Sequence, residues 1–286
     1  MDKKHLTIMI NSTFYDMLGE YTYFLNEVYP ELEEICRSHG IELEYRDVAY
    51  SVLQKSLNNQ IILEDLRHID ADRTFFICFR GHKLGWKPDP DNINRETLSE
   101  YPELVDYIGR VSITDLVIMH ALKPFDRMVD GEIYRANPVK HCMFYFRNSG
   151  YGDSLNETQR LFYINTSEGR DKQVKDMEIA KAKDLIHETK REFDKIIDLN
   201  SNINIRYYDG IWSNDVDVKR LLADYTNDYS SMTGENLEDF IRVHEKYIPD
   251  DDLGGFCDFS CEDKSLKEIM IEDFIRELKL EFPENF

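Results

Sequence analysis

Short apolar segments with the pattern of buried strands alternate with amphipathic helical segments along most of the chain. The clearest is Thr74 to Phe79, an uninterrupted run that is followed closely by Gly81. Such runs are typical of parallel strands that are covered on both faces. The alternation therefore predicts an α/β protein, an open parallel sheet with helices on both faces. We expect five strands in the flavodoxin-like order 2-1-3-4-5, formed by Leu6 to Ile10, Ile41 to Asp47, Thr74 to Phe79, His141 to Phe146 and Asn204 to Tyr208.

The first predicted strand turns directly into a helix. Thr13 and Asp16 have the spacing of a capping box, which predicts a helix that begins at Phe14. Asn11 and Ser12 lie just before this helix, where free backbone N–H groups and the positive end of the helix dipole favour a phosphate or a carboxylate. The alternative is an ordinary strand-to-helix turn with a good cap.

Two further segments are expected at the same edge of the sheet. The turn after the third strand contains Gly81, Gly85 and Trp86, so its backbone can approach a ligand closely, and the tryptophan is either a stacking surface or a lid over the core. Ser112 caps the next helix, and Asp115 lies in its first turn as either a cleft carboxylate or a capping group only. Together these segments predict one binding cleft above the switch point between the first and third strands.

Composition excludes several classes of partner. The net charge of −21 opposes binding to nucleic acid and to anionic membranes. We find no apolar run of membrane-spanning length and no signal segment. The chain has five cysteines, an odd number, which favours free thiols and a cytoplasmic location. Cys257 and Cys261 have the spacing of one half of a zinc site, but no second Cys or His pair accompanies them, so we expect no metal site. Residues 213–286 are acidic and show helical periodicity at 216–226, 235–247 and 265–281, so we expect a helical extension to a first domain of residues 1–212.

Two longer helices are expected within the first domain. The apolar spacing predicts one from Phe14 to about Ser38, which Pro30 should kink or split. A second, long amphipathic helix is predicted from Lys172 to Leu199.

Several segments together resemble domain of unknown function 4062, a Toll/interleukin-1 receptor-like (TIR-like) module. The resemblance covers roughly Leu6 to Trp212, and it rests on Asn11 to Met17, Tyr29 to Leu32, Gly40 to Leu43 with Asp47, Gly85 to Pro88, Ser112 to Asp115 and Phe144 to Arg147. It implies a Rossmann-like domain that is often N-terminal to NACHT-type STAND ATPases, used in innate immunity or anti-phage defence. Active TIR proteins cleave the nicotinamide glycosidic bond of NAD, so NAD is the ligand or substrate that the resemblance implies.

The chain departs from the family pattern at the residues that would do this chemistry. Val117 stands where the resemblance places the catalytic glutamate, and Tyr15 replaces the usual arginine of the first motif. The usual Asp-Leu-Arg-Trp-Gly after the second strand is here Asp47 to Ser51. The remaining candidate catalytic carboxylates are Asp115 and Glu20. The candidate ligand-binding residues are Asn11, Ser12, Thr13, Asp47, Gly81, Gly85, Trp86 and Ser112.

Three functions remain open from the sequence. The first is an enzyme that hydrolyses NAD or a related nucleotide at its N-glycosidic bond. The second is a signalling module that has lost catalysis and acts by self-association or by docking a partner such as a STAND ATPase; in that case Val117 should be packed and the cleft narrow or filled. The third is a nucleoside deoxyribosyltransferase-like enzyme, which also needs a glutamate in the cleft.

Overall fold

The protein is a mixed α/β structure built on one mostly parallel sheet. The computed structural model describes residues 4–48, 62–71, 73–83, 85–88, 91, 93–148, 155–164, 203–233, 238–248 and 253–286. Within these residues the sheet has seven strands in the order β2-β1-β3-β6-β7-β8-β9. They are β1 (Lys4–Asn11), β2 (Ile41–Asp47), β3 (Thr74–Arg80), β6 (His141–Arg147), β7 (Ile203–Ser213), β8 (Gly255–Cys261) and β9 (Lys264–Ser265), while β4 (Arg127–Val129) and β5 (Glu132–Tyr134) form a separate hairpin.

The five strands predicted from the sequence are the parallel part of this sheet. β1 pairs in parallel with β2 and β3, β3 with β6, and β6 with β7. The predicted total of five strands is wrong, because β8 pairs antiparallel with β7 and β9 pairs antiparallel with β8. Phe256, Phe259 and Cys261 of β8 belong to the core, but Asp258 and Ser260 interrupt this segment, so it lacks the continuous apolar run that marked Thr74 to Phe79.

The C-terminal residues are part of the sheet and its core, where the sequence predicted a helical appendage. The predicted helix at residues 265–281 is present, but its buried side chains belong to the same hydrophobic cluster as those of β1. The sequence also predicted a domain boundary at residue 212, and whether residues 1–212 fold on their own stays a prediction. In the structure β7 runs across this position and pairs with β8.

Nine α-helices can be described along these parts of the chain. They are α1 (Leu18–Tyr23), α2 (Tyr29–Ser38), α3 (Leu63–Ile69), α4 (Arg95–Glu100), α5 (Ile113–Leu122), α6 (Glu157–Tyr163), α7 (Val218–Thr233), α8 (Glu238–His244) and α9 (Leu266–Glu281). The long helix predicted at Lys172 to Leu199 lies outside the described residues. No helix that the structure describes combines the length and the apolar character that a membrane crossing needs.

The predicted first helix from Phe14 to Ser38 is divided into shorter pieces. It opens with a 3₁₀ turn at Tyr15–Met17, continues as α1, widens into a π-helical turn at Phe24–Val28, and resumes as α2. Pro30 lies in the first turn of α2, where its missing N–H costs no intrahelical hydrogen bond. The sequence predicted a kink or a break at this proline. The structure has a change from π-helix to α-helix directly before it.

Two apolar clusters cover the two faces of the sheet. One cluster contains Ile8 and Ile10 of β1, together with side chains of α1, α2, α7 and α9. The other contains Met9 of β1 and side chains of α3 and α5. Successive residues of a strand point to opposite faces, so both faces of the central strands are buried, as predicted.

A pair of leucines on α9 tests whether this helix belongs to the core. Leu278 is fully buried, whereas Leu280 is 59% exposed on the same helix. We expect Leu278→Ala to lower the free energy of unfolding by about 2–5 kcal/mol, because it leaves a cavity in the core. Leu280→Ala should change it by less than about 0.5 kcal/mol. Urea denaturation compares the two variants, and equal stabilities would contradict the assignment of α9 to the core.

Candidate functional site

Three neighbouring strands deliver polar side chains to the carboxyl edge of the sheet. Asn11, Arg80 and Arg147 are the last residues of β1, β3 and β6. Arg80 pairs in register with Phe146, one residue before Arg147, so the two arginines point to opposite faces of the sheet. Each of them meets a carboxylate from a helix on its own face.

On one face, Arg80 binds Asp115 at the start of α5. Arg80 Nη2 donates to Asp115 Oδ1 at 2.5 Å, and only 3% and 7% of the two side chains are exposed. Ser112 caps the helix as predicted: its Oγ accepts from the backbone N–H of Asp115 at 3.1 Å and donates to Asp115 Oδ2 at 2.7 Å. Asp115 thus points to the carboxyl edge of the sheet, but both of its oxygens are engaged there.

The predicted binding residues on this face lie around the same helix end. Asn11 Nδ2 donates to the backbone oxygen of Thr114 at 3.0 Å. A Cβ added to Gly85 would lie 2.7 Å from Thr114 Oγ1, so the glycine allows close packing on the helix rather than on a ligand. The ring of Trp86 is partly exposed beside it, with the residue 46% accessible.

On the other face, Arg147 binds Glu20 of α1. Arg147 Nη1 donates to Glu20 Oε1 at 2.6 Å and to the backbone oxygen of Asp16 at 3.2 Å. The Tyr208 hydroxyl donates to the same Glu20 oxygen at 2.9 Å. Complete burial raises the pKa of Glu20, although Arg147 and Tyr208 act in the opposite direction. The glutamate is thus an interior ion-pair partner of Arg147.

Gly81 packs closely against the face that contains Arg147. A Cβ at this position would lie 2.4 Å from Met17 Cε, 2.9 Å from Arg147 Nη2 and 3.2 Å from Asp16 Oδ2. The sequence predicted that Gly81 allows the backbone to approach a ligand. In the structure the space beside it is occupied by side chains of the first helical segment and by Arg147.

Asp47 accepts hydrogen bonds from three tyrosines instead of facing the cleft. Tyr21 donates to Oδ1 at 3.1 Å, and Tyr225 and Tyr45 donate to Oδ2 at 2.5 and 3.4 Å. Burial and the nearby aspartate raise the pKa of all three phenols. Ser12 Oγ extends this network through Tyr21 at 3.0 Å. The sequence analysis missed these tyrosines, and Tyr225 comes from the segment assigned to the appendage.

The predicted capping box at Thr13 and Asp16 is wrong. The 3₁₀ turn starts after Phe14 without a side-chain cap. Thr13 Oγ1 and both carboxylate oxygens of Asp16 are buried and lack a hydrogen-bond partner, as do Asn11 Oδ1 and Arg80 Nη1. Such groups usually bind water or a ligand, so this edge of the sheet retains hydrogen-bonding capacity that the protein itself does not use.

Val117 faces the apolar core. It is fully buried in α5 within the cluster that contains Phe76 and Phe144. The position that the family resemblance equates with the catalytic glutamate therefore contributes to packing. The described residues contain no group of three or more His, Cys, Asp or Glu side chains arranged to hold a metal ion.

Comparisons with known proteins give distant relatives and no family assignment. Telomerase protein component 1 from Rattus norvegicus is 24% identical over 169 residues, and the protein of the same name from Mus musculus shows the same identity over the same length. The match covers 58% of this chain and 6% of each relative, so the chain spans a small fraction of their length. No family profile and no solved structure matches significantly.

Arg147 and Glu20 provide a test of the buried ion pair. We expect Arg147→Met to lower the free energy of unfolding by about 3–5 kcal/mol, because it leaves Glu20 buried without its cation. Adding Glu20→Leu to this variant should recover most of the loss, since apolar residues can replace a buried pair at little cost.

The matched control is Arg220→Met, which removes an exposed ion pair with Asp224 at 3.6 Å and should cost less than about 1 kcal/mol. Thermal or urea unfolding gives all four stabilities. A loss in Arg147→Met no larger than in Arg220→Met would show that the buried pair lacks the assigned role.

Proposed function

We propose that this chain is a TIR-like signalling module that acts through self-association or partner docking and does not hydrolyse NAD. The observation that carries the proposal is the state of the two candidate catalytic carboxylates. Asp115 and Glu20 each bind a buried arginine at the carboxyl edge of the sheet. The flavodoxin-like part of the proposal is supported by the order of the parallel strands, β2-β1-β3-β6-β7, which is the predicted 2-1-3-4-5 order.

A glycoside-cleaving carboxylate must reach its substrate. A general acid or base works within hydrogen-bond distance of the reacting atom, and a nucleophile must contact the anomeric carbon. The Glu20 side chain is 1% exposed and its Oε1 already accepts from Arg147 and Tyr208. Asp115 is similarly enclosed by Arg80 and Ser112. Together with the packed Val117, this arrangement favours a module without catalysis.

The net charge of the chain bears on the class of partner. The charge of −21 disfavours nucleic acid and anionic lipid as partners, so a protein partner fits better. The name of the distant relatives, telomerase protein component 1, describes each of them as one component. We propose by analogy that this chain is also one module of a larger cytoplasmic assembly, with a STAND ATPase as the partner that the family resemblance favours.

An active nucleotide hydrolase is the second candidate. The observation that favours it is the set of buried polar atoms without partners at Asn11, Thr13, Asp16 and Arg80. A nucleotide could use these groups if the ion pairs opened on binding. The same argument applies to a nucleoside deoxyribosyltransferase-like reaction, and in both cases Asp115 or Glu20 would have to leave its arginine.

Incubation with NAD separates the two candidates. At high protein concentration, where self-association is favoured, we expect nicotinamide release no faster than in a buffer blank, because neither carboxylate is free to assist cleavage. Asp115→Ala should give the same result as the unaltered chain. Release that is clear in the unaltered chain and abolished in Asp115→Ala would contradict the proposal and support the hydrolase.

A further inference from the structure

A cleft of about 680 Å³ lies on a side of the protein away from the arginine pairs. Its walls are the π-helical turn with the start of α2, the edge strand β2, and the end of α7. π-helical turns inside α-helices are rare and occur frequently at functional sites. This one places Leu25 and Asn26 in the wall of the cleft.

Three tyrosines contribute to the lining of the cleft: Tyr29 is partly exposed, whereas Tyr45 and Tyr229 are buried, with 5% and 6% of their surface accessible. Tyr29, Tyr45 and Tyr229 all line it, with ring centroids 5.6 Å apart for Tyr29 and Tyr45 and 6.1 Å apart for Tyr45 and Tyr229. The faces of aromatic rings carry negative charge density and attract cations, guanidinium groups in particular. An aromatic cleft of this kind favours a positively charged ligand.

The charged residues of the cleft point to the same ligand. Glu33, Glu44 and Asp228 line it, against the single guanidinium of Arg46, which lies 3.5 Å from Glu44. Asn26, which also lines the cleft, donates a hydrogen bond to the Asp228 carboxylate, while Asp228 Oδ2 is buried without a partner among the described residues. Burial raises the pKa of Asp228, and the hydrogen bond from Asn26 acts in the opposite direction. A cation bound beside the carboxylate would also oppose the effect of burial.

The edge strand supplies a second mode of recognition. β2 is the outermost strand of the sheet on its side, and in the described chain it pairs only with β1. Four consecutive residues, 43 to 46, line the cleft, so the backbone edge of the strand contributes to the wall as well as its side chains. An edge strand offers a row of N–H and C=O groups that an extended peptide can pair with.

We propose that this cleft binds an extended basic segment of a protein partner, which pairs with the edge of β2 that faces away from β1 and inserts an arginine or lysine side chain beside Tyr29 and the carboxylates. The inference rests on the proposed docking function and names its surface. The overall charge of −21 would attract a basic partner and repel a second copy, so a partner of opposite charge is the occupant that the electrostatics favour.

Fluorescence anisotropy with a labelled short peptide of alternating arginine and threonine tests the proposal on the full chain. We expect saturable binding of this peptide. A peptide with neutral citrulline in place of arginine, and a peptide with N-methyl groups that block strand pairing, should both bind much more weakly. Equal binding of either control peptide would overturn the proposal.

Two adjacent glutamates on α2 provide the matched variants. Glu33 lines the cleft, whereas Glu34 is exposed beside it and pairs with Arg37. Glu33→Gln should weaken peptide binding by about two- to fivefold, the range of one exposed ion pair, and Glu34→Gln should leave it unchanged. The same loss in both variants would mean a general charge attraction and would overturn the cleft assignment.

The peptide-binding experiment and the nicotinamide experiment test different proposals, so a negative result in one leaves the other proposal intact. Absence of peptide binding, with no nicotinamide released, would overturn this inference and leave the proposed non-catalytic module in place. Nicotinamide release would remove the proposed function, because that reaction belongs to the carboxyl edge of the sheet at Arg80 and Arg147, whose residues do not line the cleft.

Discussion

The buried contacts between two arginines and two carboxylates determine what the carboxyl edge of this sheet can do. Arg80 and Arg147 end adjacent parallel strands, and their side chains leave on opposite faces. Each binds an acid from the helix that packs on its face, Asp115 from α5 and Glu20 from α1. In an open parallel sheet this edge is the usual place for a ligand. Here charged protein side chains occupy it from both faces.

These ion pairs are better understood as geometric constraints than as sources of stability. The free energy needed to remove two charges from water is similar in size to their attraction in the interior, so a protein with apolar residues in their place can be equally stable. Loss of one partner alone lowers the free energy of unfolding, because the other charge remains buried. The four residues therefore form two units that must be present together. In the proposed function these pairs keep both carboxylates from the contact with a substrate that a general acid or base needs.

The sequence was sufficient for the central sheet because its signal is local. The inner strands β1, β3 and β6 contain short apolar runs, and Ser112 with Asp115 is a recognisable cap, so these strands and the start of α5 could be predicted. Asn11 and Asp115 accordingly lie at the carboxyl edge of the sheet, where the sequence placed them. Their partners could not be predicted, because Arg80 is 35 residues from Asp115 and Arg147 is 127 residues from Glu20. The two C-terminal strands were missed because the sequence of β8 has no strand pattern of its own. Its strand conformation depends on pairing with β7.

NMR of the arginine side chains tests whether the two ion pairs at the carboxyl edge of the sheet stay closed. With ¹⁵N-labelled protein, the Nε–Hε signals of Arg80 and Arg147 can be assigned by loss of each signal in the corresponding arginine-to-lysine variant. We expect that neither signal shifts when NAD is added in excess, because both guanidinium groups remain bound to Asp115 and Glu20. A saturable shift of either signal would show that a nucleotide reaches the arginine pairs, and it would overturn the assignment of these carboxylates to permanent ion pairs.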